Sequence, residues 1–225
     1  MNDICKVILI GESGVGKTCI IVRFVNESFY FDSSSTNGAA FATKTLEFPD
    51  YKKSLKYNIW DTAGQEKYRS LAKIFYKDAV IGILVYDICN KNSFENIKNY
   101  WYEQIKENSS ANISKIFLFK FIFYNKVFGL AGNKKDKFLE EQVSNKEGEE
   151  FARKIGAYFK LTSAKTNDGI LDLFKELGRR YLDPNYRLLR EKEDKEEVIK
   201  NKERSKSVKL KETKIENKVK KWYLC

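Results

Sequence analysis

An α/β fold with a mostly parallel sheet is what this 225-residue chain predicts, on three observations. Short apolar runs alternate with helix-capable segments, the order expected of parallel strands joined by helical crossovers. Two of those runs, 79–87 and 127–133, are apolar almost without interruption, as strands covered on both faces are. Between an apolar run and an amphipathic one stands Gly11-Glu12-Ser13-Gly14-Val15-Gly16-Lys17-Thr18, so a strand feeds a glycine turn that opens a helix.

Residues 4–10 are β-branched and apolar, the first strand, and 19–25 carry apolar residues around a helical face. A polar stretch, 26–38, reads as a loop. Strand 40–48 turns at Pro49-Asp50 and returns through 55–60 as a hairpin, giving the sheet one antiparallel edge arm. Asp61 to Glu66 ends that arm, and 67–76 is helix-capable with irregular patterning. After strand 79–87, Ser93 can cap a helix running to about 108. Strand 127–133 follows. Ser144 and Glu147 fit a capping box that opens a helix to about 155. Residues 157–162 form the sixth strand and 170–182 a final amphipathic helix. In such sheets ligands sit at the carboxyl ends of the strands, where the Gly11 loop, the Asp61 turn, Asn133 and Ser163 all fall. The domain spans 1–183, with an apparent insertion near 113–125, and a charged tail spans 184–225.

The 42 Lys and Arg against 31 Asp and Glu give a net charge of +11. The tail holds 14 of the basic and 8 of the acidic residues, over half the excess in under a fifth of the length. Cys5, Cys19, Cys89 and Cys225 are too widely spaced for a metal site or dense disulfide framework, so a reducing cytosolic compartment is expected, the first three as small buried apolar residues. Without histidine, His-based catalysis and His metal ligands are excluded. No apolar run approaches the ~20 residues of a membrane span, and Met1 leads into a strand rather than a signal peptide.

Chemistry enters through the glycine loop. Its backbone N–H groups can cradle phosphate oxygens at the positive end of the following helix, Lys17 can reach β- and γ-phosphates, and Thr18 can offer a hydroxyl to Mg²⁺. Asp61 at a strand end suits a carboxylate that holds the metal, and Thr36 in the polar loop offers a second hydroxyl. Gly64 is placed for a backbone contact to the γ-phosphate and Gln65 to orient an attacking water. Asn133-Lys134-Lys135-Asp136 and Thr162-Ser163-Ala164-Lys165 each follow a strand. A carboxylate that accepts from two adjacent ring donors selects guanine, because adenine presents an acceptor and no amino group there. A backbone N–H at Ala164 can donate to the guanine carbonyl.

With these motifs the chain resembles the Ras superfamily of small GTPases over about residues 3–182, and within it the Rab family, through 56–71, 82–87 and 90–94. The segments 36–41 and 70–72 look most like the early-endosomal, endocytic branch. The resemblance implies a phosphate-loop NTPase fold, GTP and GDP as ligands with Mg²⁺, and slow hydrolysis that switches the protein between two states to regulate vesicle traffic. It implies nucleotide contacts from Ser13, Gly14, Val15, Gly16, Lys17, Thr18, Cys19, Phe29, Thr36, Asp61, Gly64, Asn133, Lys134, Asp136, Ser163, Ala164 and Lys165. Thr18, Thr36 and Asp61 would serve the metal, Gln65 would be catalytic, and Ser13 would lie close to it. Thr36 and Gln65 would lie in switch segments ordered by the γ-phosphate. Phe41, Trp60 and Phe75 match an effector-binding aromatic triad, with core packing as the plainer reading. Exchange factors, effectors, an activating protein that supplies an arginine and a membrane surface met through the tail are the implied partners, and the cytoplasmic face of intracellular membranes, endosomal ones first, with a cytosolic pool, the implied location.

Two places depart from that pattern. Asn37 stands where Rab proteins usually carry isoleucine. Residues 113–125 are aromatic, β-prone and low in charge, and read as a translated intron, an added strand or lid, or a partner-binding patch. The terminal Cys225 is not in a C-a-a-X box. It reads either as a prenylation site aided by Lys218, Lys220 and Lys221, or as an unmodified cysteine on a solvated tail. A nucleotide-locked scaffold is the competing function. A nucleic-acid-binding role lacks any aromatic-interleaved basic motif, and no nucleic-acid partner is expected.

Overall fold

Along the first strand, β1 (Asn2–Ile10), Val7 and Leu9 join one apolar cluster while Ile8 and Ile10 join another, and all four are buried. A strand that feeds two cores in alternation must lie inside a sheet covered on both faces. The computed structural model describes residues 2–29, 39–62, 78–104, 126–186 and 190. Its chain divides into two units, Met1–Asp183 and Pro184–Cys225, and the fold below is that of the first.

After β1 come α1 (Lys17–Asn26), β2 (Ala39–Phe48), β3 (Lys53–Thr62), β4 (Ile81–Asp87), α2 (Lys91–Asn96), β5 (Val127–Asn133), α3 (Asn145–Ile155), β6 (Tyr158–Leu161) and α4 (Ile170–Leu182). The six strands lie in the order β2-β3-β1-β4-β5-β6. Only the β2–β3 pair is antiparallel. This is the six-stranded, mostly parallel sheet with one antiparallel edge strand that the sequence predicts.

Helices α1 and α4 cover one face, where Ile20, Ile21 and Phe24 meet Leu173, Phe174 and Leu177. Phe24 stacks on Phe174 at 3.7 Å between ring centres, and the Tyr57 hydroxyl donates to the Phe174 carbonyl at 2.9 Å. On the opposite face Phe94 of α2 and Phe151 of α3 pack edge to face over Tyr86 and Leu130. The box at the start of α3 forms as expected: the Ser144 hydroxyl accepts from Glu147 N, and the Glu147 carboxylate accepts from Ser144 N.

Several boundaries differ for physical reasons. β3 runs two residues past Trp60, because Asp61 pairs with both Leu9 and Ala40, and the Thr62 hydroxyl donates to the Leu9 carbonyl at 2.7 Å. Ala79 and Val80 precede β4. Ala79 is apolar because it is buried against the second cluster, not because it pairs. The cap of α2 is Asn90, not Ser93: Asn90 has an extended backbone and its Oδ1 accepts from Ser93 N at 3.1 Å. Ser93 is instead drawn inward, its hydroxyl accepting from Asp87 N and donating to the Asn90 carbonyl. Past Asn96 the helix widens into a π turn, Ile97–Trp101, which no local signal announced. Of the three cysteines expected to be buried, only Cys5 is. Cys19 and Cys89 are partly exposed, the latter beside the Lys137 carbonyl.

Candidate nucleotide-binding site

The parallel register delivers the site. Leu9 lies beside Asp61 and Asp87 beside Asn133, so β1, β3, β4 and β5 all end at one edge of the sheet. From that edge the loop at residues 11–16 turns back into α1. Two of its glycines are required. A Cβ on Gly11 would lie 2.2 Å from the Val85 carbonyl oxygen, and one on Gly16 would lie 2.4 Å from Asn133 Nδ2 at a φ of +94°. Neither a side chain nor the ordinary backbone conformation fits there.

Gly16 also caps α1, so no side chain occupies the helix N-terminus and no acidic residue stands in its first turn. With no side-chain cap there, the positive end of the helix dipole faces the loop. Lys17 is 5% exposed, its ammonium spanning the loop to donate to the carbonyls of Gly11 at 2.9 Å and Glu12 at 2.8 Å. Burial pushes its pKa down to about 8 against the opposing pull of the Asp61 and Glu12 carboxylates. A buried ammonium beside uncapped helix amides is an arrangement that an anion completes. Trp101, carried by the π turn, braces the same loop: its indole Nε1 donates to Glu12 Oε1 at 2.9 Å.

Thr18 Oγ1 donates to Asp61 Oδ2 at 2.6 Å, with Asp61 buried at the end of β3. A hydroxyl and a carboxylate are the oxygen ligands that Mg²⁺ takes, and Mg²⁺ completes its shell with waters and substrate phosphates rather than a protein cage. Among the described residues there is no cluster of three His, Cys, Asp or Glu that would favour another metal. The donor set fits Mg²⁺.

The two loops after β5 and β6 are tied to the phosphate loop and to each other. Asn133, 2% exposed, donates from Nδ2 to the Val15 carbonyl at 2.8 Å and accepts at Oδ1 from the Thr162 hydroxyl at 3.2 Å. The Ser163 hydroxyl donates to Asp136 Oδ1 at 2.6 Å, and Ser163 forms a two-way backbone bridge with Asp168. Lys134, at a φ of +66°, pairs with Asp87 at 2.8 Å. Ala164 is buried, and its N–H donates to no carbonyl among the described residues.

Of the residues singled out from sequence, Val15, Gly16, Lys17, Thr18, Asp61, Asn133, Lys134, Asp136, Ser163, Ala164 and Lys165 gather at this edge. Ser13 and Gly14 are exposed on the loop; Cys19 and Phe29 pack partly buried against the first cluster. Phe41 is 53% exposed and its ring lies 5.2 Å from that of the half-buried Trp60. Thr36, Asn37, Gly64, Gln65, Phe75, the insertion at 113–125 and Cys225 lie outside the described residues. Sequence reasoning missed Asp87, Trp101 and Arg23, whose guanidinium contacts the Ala164 and Lys165 carbonyls. Asp87 closes the recognisable segment 82–87, but its pairing with Lys134, like the contacts of Trp101 and Arg23, works through a neighbour distant in the chain.

A phosphate loop, a hydroxyl–carboxylate pair beside it and two interlocked loops at the strand ends define a phosphate-loop nucleotide-binding protein. Residues 6–183 match the model of the Ras family. The chain is 41% identical to Ras-related protein Rab-8A of Pongo abelii over 174 residues, 77% of this chain and 76% of that one. It is 38% identical to Ras-related protein Rab-13 of Bos taurus over 178 residues, covering 79% and 80%. Rab-8A of Gallus gallus is again 41% identical over 174 residues, 77% and 76%. The chain belongs to the Ras superfamily as a Rab-family small GTPase. Membership carries GTP and GDP with Mg²⁺ as ligands, hydrolysis of GTP as the reaction, and vesicle traffic as the process regulated. Its general partners are exchange factors, activating proteins and effectors.

Proposed function

We propose that this Rab-type GTPase is a timed switch of endocytic membrane traffic, with the switch chemistry carried by the residues gathered at the sheet edge. The observation that carries the reading is the Asn133 side chain, which joins the phosphate loop to the loop after β6 and so makes one cleft of two half-sites. In it the amides of Ser13 to Cys19 cradle the phosphates and the Lys17 ammonium leaves its two carbonyls for the β- and γ-oxygens. Thr18, Thr36 and Asp61 would hold Mg²⁺, which would supply positive charge to offset that of the phosphates. Asp136 accepts from the two adjacent guanine donors, Ala164 N–H donates to the carbonyl, and Phe29 lies across the ring edge. Ser163 keeps the Asp136 carboxylate in position, while Lys134 and Lys165 flank the base.

Gln65 aligns water for in-line attack, with Gly64 N–H on the γ-phosphate. Alone the chain turns over slowly, on the order of 10⁻⁴ to 10⁻² s⁻¹, and an activating protein supplies the missing arginine. Phe41, Trp60 and Phe75 form the effector face, and a lipid on Cys225 with the basic tail provides the anchor. The endocytic assignment is supported by segments 36–41 and 70–72 alone, and the relatives above carry the names Rab-8A and Rab-13.

Single-turnover hydrolysis of preloaded GTP tests the chemistry. Gln65→Leu is expected to slow it at least about tenfold; a rate equal to the parent's removes Gln65 from the reaction. A parent chain that binds but neither exchanges nor hydrolyses nucleotide would make it a locked scaffold instead.

A further inference from the structure

Arg23 stands in the last turn of α1, two turns from the phosphate loop, yet its guanidinium is spent on the far side of the cleft. Nε donates to the Ala164 carbonyl at 2.8 Å, one terminal nitrogen donates to the Lys165 carbonyl at 3.1 Å, and the other donates to the Glu27 carbonyl at 2.6 Å. Two successive carbonyls of one loop thus meet the planar fork of a single side chain, a match that lysine cannot reproduce. The third bond ties the same fork to the left-handed residue that ends α1, so the group is held at both ends.

The opposite flank of that loop is already fixed. Ser163 is bridged to Asp168, and its hydroxyl donates to Asp136 and accepts from Thr166 N at 3.1 Å. Ala164 sits between these two clamps, 4% exposed. We infer that Arg23 is a positioning residue for base recognition: its fork sets the orientation of Ala164, so that the helix which begins at the phosphates also aims the amide that reads the guanine carbonyl. This rests on the base-binding role proposed above for Ala164.

The test measures release of two nucleotides from the full-length protein: GDP, and 6-thioguanosine diphosphate, which keeps both donors that face Asp136 and replaces the carbonyl oxygen by sulfur, a much weaker hydrogen-bond acceptor. The parent is expected to release the analogue at least about tenfold faster than GDP. In Arg23→Ala, GDP release accelerates about tenfold while analogue release changes little, so the ratio falls towards one. Arg23→Lys, which keeps the charge but loses the planar fork, lies between, and carries the comparison if the alanine variant does not fold. Equal acceleration of both nucleotides would reduce Arg23 to a general brace and overturn the inference, as would unchanged GDP release. A parent that releases both nucleotides at one rate would overturn the Ala164 reading itself, a result seen before any variant is made.

Discussion

Asp136 shows what one carboxylate decides at the residue scale. Its Oδ1 is held by the Ser163 hydroxyl at 2.6 Å, so the group presents itself to a base in one orientation. Asp136→Asn replaces an acceptor by an amide that both donates and accepts. GDP affinity is expected to fall about a hundredfold or more, while xanthosine diphosphate, with a carbonyl where guanine has its amino group, gains affinity. Competition between the two diphosphates for the variant reads this directly, and an unaltered preference for GDP would remove Asp136 from base recognition. The position of Asp136 was legible because its motif is contiguous, and the role proposed for it follows from donor and acceptor counting. Asp87 and Arg23 were not legible, since a salt bridge to Lys134 and a fork on Ala164 exist only once distant strands are side by side.

Elements were legible where the pattern was local and long. Helix α4 lies where its apolar stripe placed it, and the Ser144–Glu147 box forms because both its hydrogen bonds are within one turn. The cap of α2 was misplaced since Asn90 and Ser93 are both good capping residues, and only the inward pull of Asp87 on the Ser93 hydroxyl decides between them. The π turn that aims Trp101 at Glu12 was hidden in an apolar pattern that fits either helix type. One element also carries a pH dependence. Glu147 pairs with Lys91 of α2 as well as with Ser144, and these bonds, Lys91 first, hold its carboxyl down to about 2 from an ordinary 4.5. Between those values the unfolded chain takes up a proton that the folded chain refuses, so stability rises with pH there and is lost as pH falls towards 2. Urea unfolding of Glu147→Gln is expected to show a shallower acid limb in that window and a smaller difference from the parent at high salt, because the pair is solvent-exposed. Parallel acid limbs would mean that the carboxyl titrates alike in both states.

At the scale of the whole molecule, the cleft and most of the excess charge lie in different parts of the chain. The carboxyl ends of the strands gather the cleft in 1–183, and over half the excess charge lies in 184–225. Cys225→Ser is expected to move a tagged protein from membranes to the soluble fraction in cells, and the membranes occupied by the parent will decide the endocytic assignment; unchanged partitioning would remove the lipid. The cleft has a further property. Asn133 reaches across 118 residues of sequence to Val15, and Arg23 across 141 to Ala164, so neither half-site exists in a partly assembled chain. Nucleotide then binds only the finished fold and works as its clasp, worth about 4 kcal/mol when its concentration is a thousandfold above Kd. The melting temperature should climb with the logarithm of added GDP, and a chain emptied of nucleotide should melt as a distinctly weaker protein; a temperature indifferent to GDP would show that the cleft stands without its guest.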